Sequence, residues 1–293
     1  MIQTLAPLLR CLRAPNPSPM TEKGTNTYLL GRDEIAVIDP GPRDAAHLDA
    51  ILSALMPGQR ISHILVTHSH RDHSGLVPDL AQATGAPVYG FGPSVAGRSA
   101  LMERLAPDSA LAGGEGIDPD FAPDVPLPDQ TEITGAGWTL TAHWTPGHMA
   151  NHLSFEWHEG CALFTGDIVM GWASSLISPP DGDVGQFLNS LDRIESLNAD
   201  ILFAGHGAPI KAPRDRITWL REHRNARLSA AQGALTPHPQ SLDALIPQLY
   251  DDVPQKMWPA AARNLLASLI ELENRGLCKS LPTPGLNALF KTP

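Results

Sequence analysis

The sequence has few cysteines, few aromatic residues and no long apolar run. Its three cysteines, Cys11, Cys161 and Cys278, are widely spaced and form no paired pattern. They therefore predict reduced thiols of a cytosolic protein rather than a disulfide framework. No stretch approaches the roughly 18 uncharged apolar residues that a membrane-spanning helix needs. Because Pro7 and Arg10 interrupt the first apolar run, and no cleavage-site pattern follows, we expect no signal peptide and a soluble, cytoplasmic protein.

Basic residues are also few. The chain has 21 Lys and Arg against 31 Asp and Glu, a formal charge of -10. This balance offers no general attraction for a polyanion, so nucleic acid and anionic membranes are disfavoured as non-specific partners. Acidic residues are concentrated between Glu103 and Glu132, where Arg104 is the only base. Residues 92–129 are rich in Gly, Pro and Ala, and they predict a solvated surface excursion, with a lid or wall beside an active site as the alternative.

Hydrophobic periodicity gives the order of the secondary structure. Two β-rich runs at 25–31 and 34–41 predict a hairpin. Apolar residues at helical spacing follow at 44–55, and a compact apolar strand follows at 63–68. Further elements are predicted as follows: a first strand before residue 20, helices at 75–85 and 184–197, and strands at 87–91, 138–144, 152–158, 161–166 and 201–205. Strands outnumber helices and alternate with them, which favours layered sheets flanked by helices.

The sequence becomes helical from Pro213 onwards. Residues 214–232 predict one long helix, followed by two more helices and a short extended end. The segment from Lys211 to Arg227 carries six bases against two acids. This order of elements predicts a small helical or winged-helix-like appendage.

The strongest chemical signal is the stretch VTHSHRDHSG, residues 66–75, directly after a predicted strand. Its metal-capable residues are His68, His70, Asp72 and His73. Three later strands also end in a Gly-containing turn with a metal-capable residue, which is His148, Asp167 or His206. Strand ends that deliver such side chains to one edge of a sheet can build a metal site on a rigid scaffold.

These seven residues are enough for two metal ions. One ion would receive three imidazoles, from His68, His70 and His148. The other would receive Asp72, His73 and His206. Asp167, with two carboxylate oxygens, could bridge the two ions. A set of imidazoles and carboxylates without thiolate favours Zn²⁺, with Mn²⁺ and iron as competitors.

The order and spacing of these motifs resemble the metal-binding signature of the metallo-β-lactamase-fold hydrolases. The resemblance spans roughly residues 20–210. It implies an α+β fold, a four-layer αββα sandwich with the binuclear site at one edge of its two sheets. The segments GTNTYLLG, VIDPGP, TPGHMANHLSF, FTGDIVMGW and GHGAPI also resemble the lactamase-beta-like protein 2 subfamily, which carries a small C-terminal winged-helix-like domain.

We accordingly expect a catalytic domain over residues 1–228 and a winged-helix-like domain over 229–293. Mixed charge along the second domain argues against a DNA-reading role. We expect it to form a wall of the pocket or a contact in a homodimer.

Two divalent cations that share a water lower its pKa, so the predicted site would generate a bridging hydroxide near neutral pH. Asp72 is expected to hold the second ion, to orient the hydroxide and to carry a proton to the leaving group. His152 is a candidate for supporting a ligand or lining the pocket, with a structural role as the alternative. Trp172 is close in sequence to Asp167 and is a candidate substrate contact, with packing as the alternative.

Three functions fit these residues. The first is a binuclear zinc hydrolase of an ester, thioester or lactone, acting on a small-molecule or acyl-thioester substrate, which suits the acidic segment. The second is a metal-dependent single-strand endoribonuclease, favoured by one named relative of the subfamily and by the basic segment 211–227. The third, an iron-dependent oxidoreductase, ranks lowest because single-iron relatives tend to lose second-site ligands and both ligand sets look complete here.

Overall fold

The computed structural model describes residues 2–107 and 116–293. Part of the predicted acidic excursion, residues 108–115, lies outside the described residues. The strands are β1 (Gln3–Ala6), β2 (Leu9–Arg13), β3 (Asn26–Leu30), β4 (Glu34–Ile38), β5 (Arg60–Leu65), β6 (Val88–Gly90), β7 (Val125–Pro126), β8 (Thr131–Gly135), β9 (Trp138–Trp144), β10 (Leu153–Trp157), β11 (Ala162–Gly166), β12 (Ile201–Ala204), β13 (Gln240–Ser241), β14 (Lys279–Leu281) and β15 (Leu289–Lys291). The helices are α1 (Ala45–Ser53), α2 (Arg71–Ser74), α3 (Val77–Thr84), α4 (Ala100–Leu105), α5 (Val184–Ser196), α6 (Pro213–Ala234), α7 (Leu242–Leu249) and α8 (Trp258–Asn274), with a 3-10 turn at Gln255–Met257.

The first sheet contains β1 to β7 in chain order. Strands β1 to β4 are antiparallel, and the pairs from β4 to β7 are parallel. The hairpin predicted at 25–31 and 34–41 is confirmed as β3 and β4. The prediction of a single first strand was wrong, because the chain turns at Pro7 and returns as β2. Proline has no N–H for the ladder, which explains why the strand ends there.

The second sheet has the order β12-β11-β10-β9-β8. The four predicted strands β9 to β12 are confirmed, whereas β8 was missed because it is only partly buried and gives a weak apolar pattern. The neighbours β11 and β12 are parallel. Their carboxyl ends therefore meet at the same edge of the sheet, which brings the turns that follow them together.

Apolar side chains fill the space between the two sheets. Leu30 and Ile38 of the first sheet belong to the same buried cluster as Leu140, Phe155 and Phe164 of the second. A second cluster packs the outer face of the first sheet against α1 and α3. A third packs the outer face of the second sheet against α5, α6 and α8. The layers are therefore helix, sheet, sheet, helix, as predicted for an αββα sandwich.

The C-terminal region packs against the second sheet and its helices. Helices α7 and α8 and a three-stranded sheet of order β13-β15-β14 follow α6. The predicted boundary at 228/229 falls within α6, which runs unbroken from Pro213 to Ala234. The division at that residue stays a prediction. Within residues 2–107 and 116–293, none of the helices combines the length and apolar character that crossing a bilayer requires.

The layer between the sheets gives a test of the fold. We expect Leu140→Ala to lower the free energy of unfolding by about 2–5 kcal/mol, because Leu140 is 0% exposed and truncation leaves a cavity. Leu277→Ala removes the same atoms at a position that is 39% exposed, and it should change stability by about 0.5 kcal/mol or less. Urea unfolding followed by circular dichroism measures both. Equal losses in the two variants would contradict the assigned core.

Candidate metal centre

The seven predicted ligands lie together at one edge of the two sheets. They occupy the turns after β5, β11 and β12 and the loop between β9 and β10. Hydrogen bonds join the two sheets at this edge: Asn26 N donates to Gly205 O at 2.7 Å, and Leu153 N donates to Thr67 O at 2.7 Å. The turns are therefore fixed by backbone contacts between the sheets.

The first group consists of three imidazoles. His70 Nδ1 lies 3.0 Å from His68 Nε2 and 3.0 Å from His148 Nε2. Burial lowers the pKa of His70 to about 3, and burial also lowers the pKa of His68 and of His148. All three are therefore neutral at pH 7, which is the state that binds a metal ion.

The second group joins two imidazoles and one carboxylate. His206 Nε2 lies 3.2 Å from Asp72 Oδ2 and 3.3 Å from His73 Nε2. Burial alone would lower the pKa of His206, but the Asp167 and Asp72 carboxylates outweigh it and raise that pKa to about 9. Burial opposes protonation of His73 as well, yet Asp72 and Asp167 raise its pKa well above the ordinary value.

Asp167 lies between the two groups. Its Oδ2 is 3.8 Å from His148 Nε2 on one side and 3.3 Å from His206 Nε2 on the other. Burial raises the pKa of this carboxyl, but His206 and His73 outweigh burial and hold it well below the usual range. Its Oδ1 is buried and accepts no hydrogen bond from the described residues.

These contacts fit divalent cations. A single proton cannot satisfy three converging imidazole nitrogens, and a buried carboxylate oxygen without a partner is costly. Combinations of the seven residues place ligand atoms within 4.8 Å of one another in three overlapping sets: His68, His70 and His148; His68, His73 and Asp167; Asp72, His73 and His206. Neutral imidazoles and ionised carboxylates are the ligands that such cations prefer.

Asp39 orients His73 and was missed by the sequence analysis. Its carboxylate accepts from His73 Nδ1 at 2.8 Å and from Thr67 N and Thr67 Oγ1 at 2.8 Å each. It is 2% exposed and has a φ of 53°. The sequence signal that could have identified Asp39 is its position directly after β4, in the segment VIDPGP.

Three further contacts fix the orientation of the imidazoles. Thr67 Oγ1 lies 2.9 Å from His68 Nδ1, and His148 Nδ1 donates to Leu176 O at 2.7 Å. His206 Nδ1 lies 3.4 Å from Gly24 O. Each contact uses Nδ1 and leaves Nε2 facing the cluster. Such partners hold a metal-binding imidazole in one tautomer and one orientation.

His152 supports the cluster without belonging to any of its ligand sets. It is fully buried, and its Nε2 accepts from the backbone N of Asp167 at 3.2 Å. Its Nδ1 lies 3.0 Å from Thr145 Oγ1, and its ring stacks on His68 with centroids 5.1 Å apart. Burial lowers its pKa well below the ordinary value, so the neutral ring can accept this hydrogen bond.

The glycines before two of the ligands are required by close packing. A Cβ on Gly205 would lie 2.4 Å from Asp167 Oδ1. A Cβ on Gly166, whose φ is +45°, would lie 2.5 Å from His152 Nε2. Glycine precedes Asp167 and His206 in the sequence because the strand ends approach one another closely at these positions.

The cluster opens into a cavity of about 1200 Å³. His70, Asp72, His148, Asp167 and His206 lie at its base. Residues 116–118 and 120–122 form part of the wall, which supports the wall alternative for this part of the acidic segment. The C-terminal region contributes Tyr250, Val253, Met257, Ala260, Ala261 and Asn264, as expected of a pocket wall. Trp172 lies on the lining and is 38% exposed.

The arginines of the basic segment 211–227 are engaged by groups of the same chain. Arg214 donates to Asn198, and Arg221 pairs with Asp192 and Glu195. The other three are bound as follows: Arg216 to Met170 O and Ala173 O, Arg224 to Asn264 and Ser175 O, and Arg227 against the ring of Tyr250. This segment therefore does not present an array of arginines free to bind phosphates.

Comparison with known proteins agrees with the fold and the motifs. The metallo-beta-lactamase superfamily matches residues 20–206, and the beta-lactamase associated winged helix domain matches residues 241–283. The Beta-lactamase-like protein 2 homolog of Drosophila melanogaster is 31% identical over 89% of this chain and 86% of its own length. The Atrochrysone carboxyl ACP thioesterase of Aspergillus fumigatus is 30% identical over 74% of this chain, and the match spans 61% of that protein.

A solved structure extends the similarity to the C-terminal region. The metallo-beta-lactamase family protein of Thermus thermophilus has a TM-score of 0.78 and is 29% identical, covering 99% of this chain and 100% of its own. The sandwich, the order of the motifs and the winged helix region are thus found together in known proteins. The chain belongs to the metallo-β-lactamase superfamily of hydrolases and carries the C-terminal winged helix domain associated with it.

Proposed function

We propose that this chain is a binuclear metal-dependent hydrolase of an ester, thioester or lactone, with Zn²⁺ as its metal. The supporting observation is that two ligand groups lie on either side of Asp167. The first group consists of His68, His70 and His148, and the second consists of Asp72, His73 and His206. Imidazole and carboxylate ligands without thiolate favour Zn²⁺ over softer ions, and Mn²⁺ or iron would compete for the same ligands.

Two bound cations would supply a nucleophile by lowering the pKa of a shared water, and would polarise the bond under attack. Asp167 would lie between them. Asp39, Thr67 and His152 hold the surrounding groups through the hydrogen bonds described above, so that little reorganisation is needed.

Asp72 is placed to move a proton. Its side chain is 28% exposed and lies on the cavity lining, unlike the buried Asp167. Burial raises its pKa, but His73 and His206 outweigh burial and hold that pKa well below the usual range. The carboxylate is therefore ionised at neutral pH and can accept a proton for transfer to the leaving group.

The cavity favours an uncharged acyl group. Its lining includes the apolar side chains of Val77, Phe121, Met257 and Ala261. Its described lining has five aspartates, Asp72, Asp118, Asp120, Asp167 and Asp181, against two arginines, Arg43 and Arg71. The largely apolar lining accommodates a neutral acyl chain, and two bound cations would offset the negative charge of Asp72 and Asp167. The thioesterase named above among the relatives supports a thioester substrate.

The endoribonuclease alternative loses one of the two features that favoured it, because the arginines of segment 211–227 contact groups of the same chain. The iron-dependent oxidoreductase stays the lowest-ranked proposal, since both ligand groups are complete. A homodimer stays a prediction.

A substrate screen tests the proposal. We expect Zn²⁺-loaded protein to hydrolyse neutral acyl thioesters, esters or lactones, and the chelated protein to lose this activity and regain it with Zn²⁺. Single-stranded RNA serves as the competing substrate in the same screen. Cleavage of RNA that weakens steeply with salt, without acyl hydrolysis, would favour the endoribonuclease instead.

Replacing Asp72 tests its proton-transfer role. Asp72→Asn keeps the size of the side chain but cannot carry the proton, so we expect kcat to fall on the order of 100-fold or more. Zinc content measured on the same samples separates loss of metal from loss of proton transfer. Asp49→Asn, on an exposed position of α1, is the matched control and should leave kcat unchanged. If Asp72→Asn bound two zinc ions and kept the wild-type kcat, the proton-transfer role of Asp72 would be contradicted.

Zinc binding should release protons at pH 7. The pKa of His206 is raised to about 9 and that of His73 is also raised, so both imidazoles are protonated before the metal binds and neutral afterwards. We expect proton release at pH 7 from both imidazoles, in addition to any proton lost by the shared water, and less release as the pH rises past 9. Calorimetry in buffers of different ionisation enthalpy counts them. His206→Ala should release about one fewer, and no release by the wild-type chain would contradict the assigned protonation.

A further inference from the structure

Helix α6 reaches the segment that follows Asp167 through two arginines. Arg216 Nε donates to Met170 O at 2.5 Å, and its Nη2 donates to Ala173 O at 2.6 Å. Two turns later, Arg224 Nη2 donates to Ser175 O at 2.8 Å, and its Nη1 donates to Asn264 Oδ1 of α8 at 2.9 Å. The segment from Met170 to Ser175 is thus held by side chains of the C-terminal helices.

The same segment holds two of the candidate ligands. The hydroxyl of Ser175 donates to the backbone carbonyl of Asp167, and Leu176 O accepts from His148 Nδ1 at 2.7 Å. Arg224 fixes the carbonyl of Ser175, which is the peptide group next to that of Leu176. The hydrogen bonds of Arg224, His148 and the Asp167 carbonyl therefore meet on two adjacent residues, Ser175 and Leu176, and are joined through their covalent backbone.

An apolar residue could fill the position of Arg224 with a smaller desolvation penalty on folding. It is 1% exposed, and its guanidinium lies 5.2 Å from the ring of Phe187. Among the described residues its hydrogen bonds go to a neutral amide and a backbone carbonyl, and its buried Nε has no partner. Burial lowers its pKa to about 10, so it keeps its charge at neutral pH without a carboxylate bound to it. Such burial of an unpaired charge is unfavourable for folding.

We propose that Arg224 is a positioning residue for the metal centre: it fixes the Ser175–Leu176 backbone so that Leu176 O orients the His148 ring and Ser175 holds the main chain at Asp167. The proposal rests on the binuclear centre proposed above. It gives α6 a role in metal binding, next to the pocket wall that residues 250–264 form. Groups that orient a ligand typically change metal affinity by about 10-fold to 100-fold when they are removed.

Titration of the metal-free, full-length chain with Co²⁺ tests this role, because the visible absorption bands of Co²⁺ report ligand geometry independently of activity. We expect Arg224→Met to weaken binding to the ligand group that contains His148 on the order of 10-fold or more and to change its spectrum. The thermal midpoint of the metal-free variant should be unchanged or higher, because methionine removes a buried unpaired charge. Arg224→Lys keeps the charge but cannot reach both partners with a planar fork, so its affinity should be intermediate.

Arg221→Met is the matched control, since Arg221 lies on the same helix and pairs with surface carboxylates only. It should bind Co²⁺ as the wild type does. Wild-type affinity and spectrum in Arg224→Met, or an equal loss in Arg221→Met, would overturn the proposal. If Arg224→Met does not fold, wild-type Co²⁺ binding by Arg224→Lys overturns it instead. A wild-type chain that takes up no Co²⁺ would contradict the binuclear centre itself rather than the role of Arg224.

Discussion

The candidate centre depends on how the negative charge of one buried carboxylate, that of Asp167, is compensated. Asp167 lies among the imidazoles of His73, His148 and His206, and its Oδ1 has no hydrogen-bond partner in the described part of the chain. Burial alone would favour the protonated acid, but the neighbouring histidines keep it ionised. A buried anion with an unsatisfied oxygen is stable only beside positive charge. His73 and His206, whose pKa values are raised, supply that positive charge beside Asp167.

The surrounding structure keeps these groups from moving apart. Backbone hydrogen bonds tie the two sheets together at this edge, and Asp39 links His73 to Thr67, the residue before His68. The Cβ clash at Gly205 shows how closely the strand ends approach. Rigid placement matters because the imidazoles and carboxylates must converge before a cation arrives.

The C-terminal region is part of this arrangement in two ways. Its helices line the cavity that opens above the cluster, and Arg224 of α6 contacts the segment that holds His148 and Asp167. Pocket shape and ligand orientation are thereby linked through Asn264, which lines the cavity and accepts a hydrogen bond from Arg224. The chemistry of the proposed hydrolase would then depend on Arg224 of α6, and its substrate preference on residues 250–264, all of which lie outside the metal-binding motifs.

The sequence by itself determined the metal-capable residues and their order, because strand periodicity and the short motif HxHxDH are local patterns. It also placed Asp167 between two ligand groups by counting donors. The resemblance that these motifs carry implied the sandwich and the C-terminal winged helix. Only the tertiary structure decided the roles of Asp39, His152 and Arg224. It also showed that the arginines of segment 211–227 contact groups of the same chain. These roles arise from contacts between residues far apart in the chain, such as Arg224 and Ser175. Such pairs leave no periodic or local signal, so only packing reveals them.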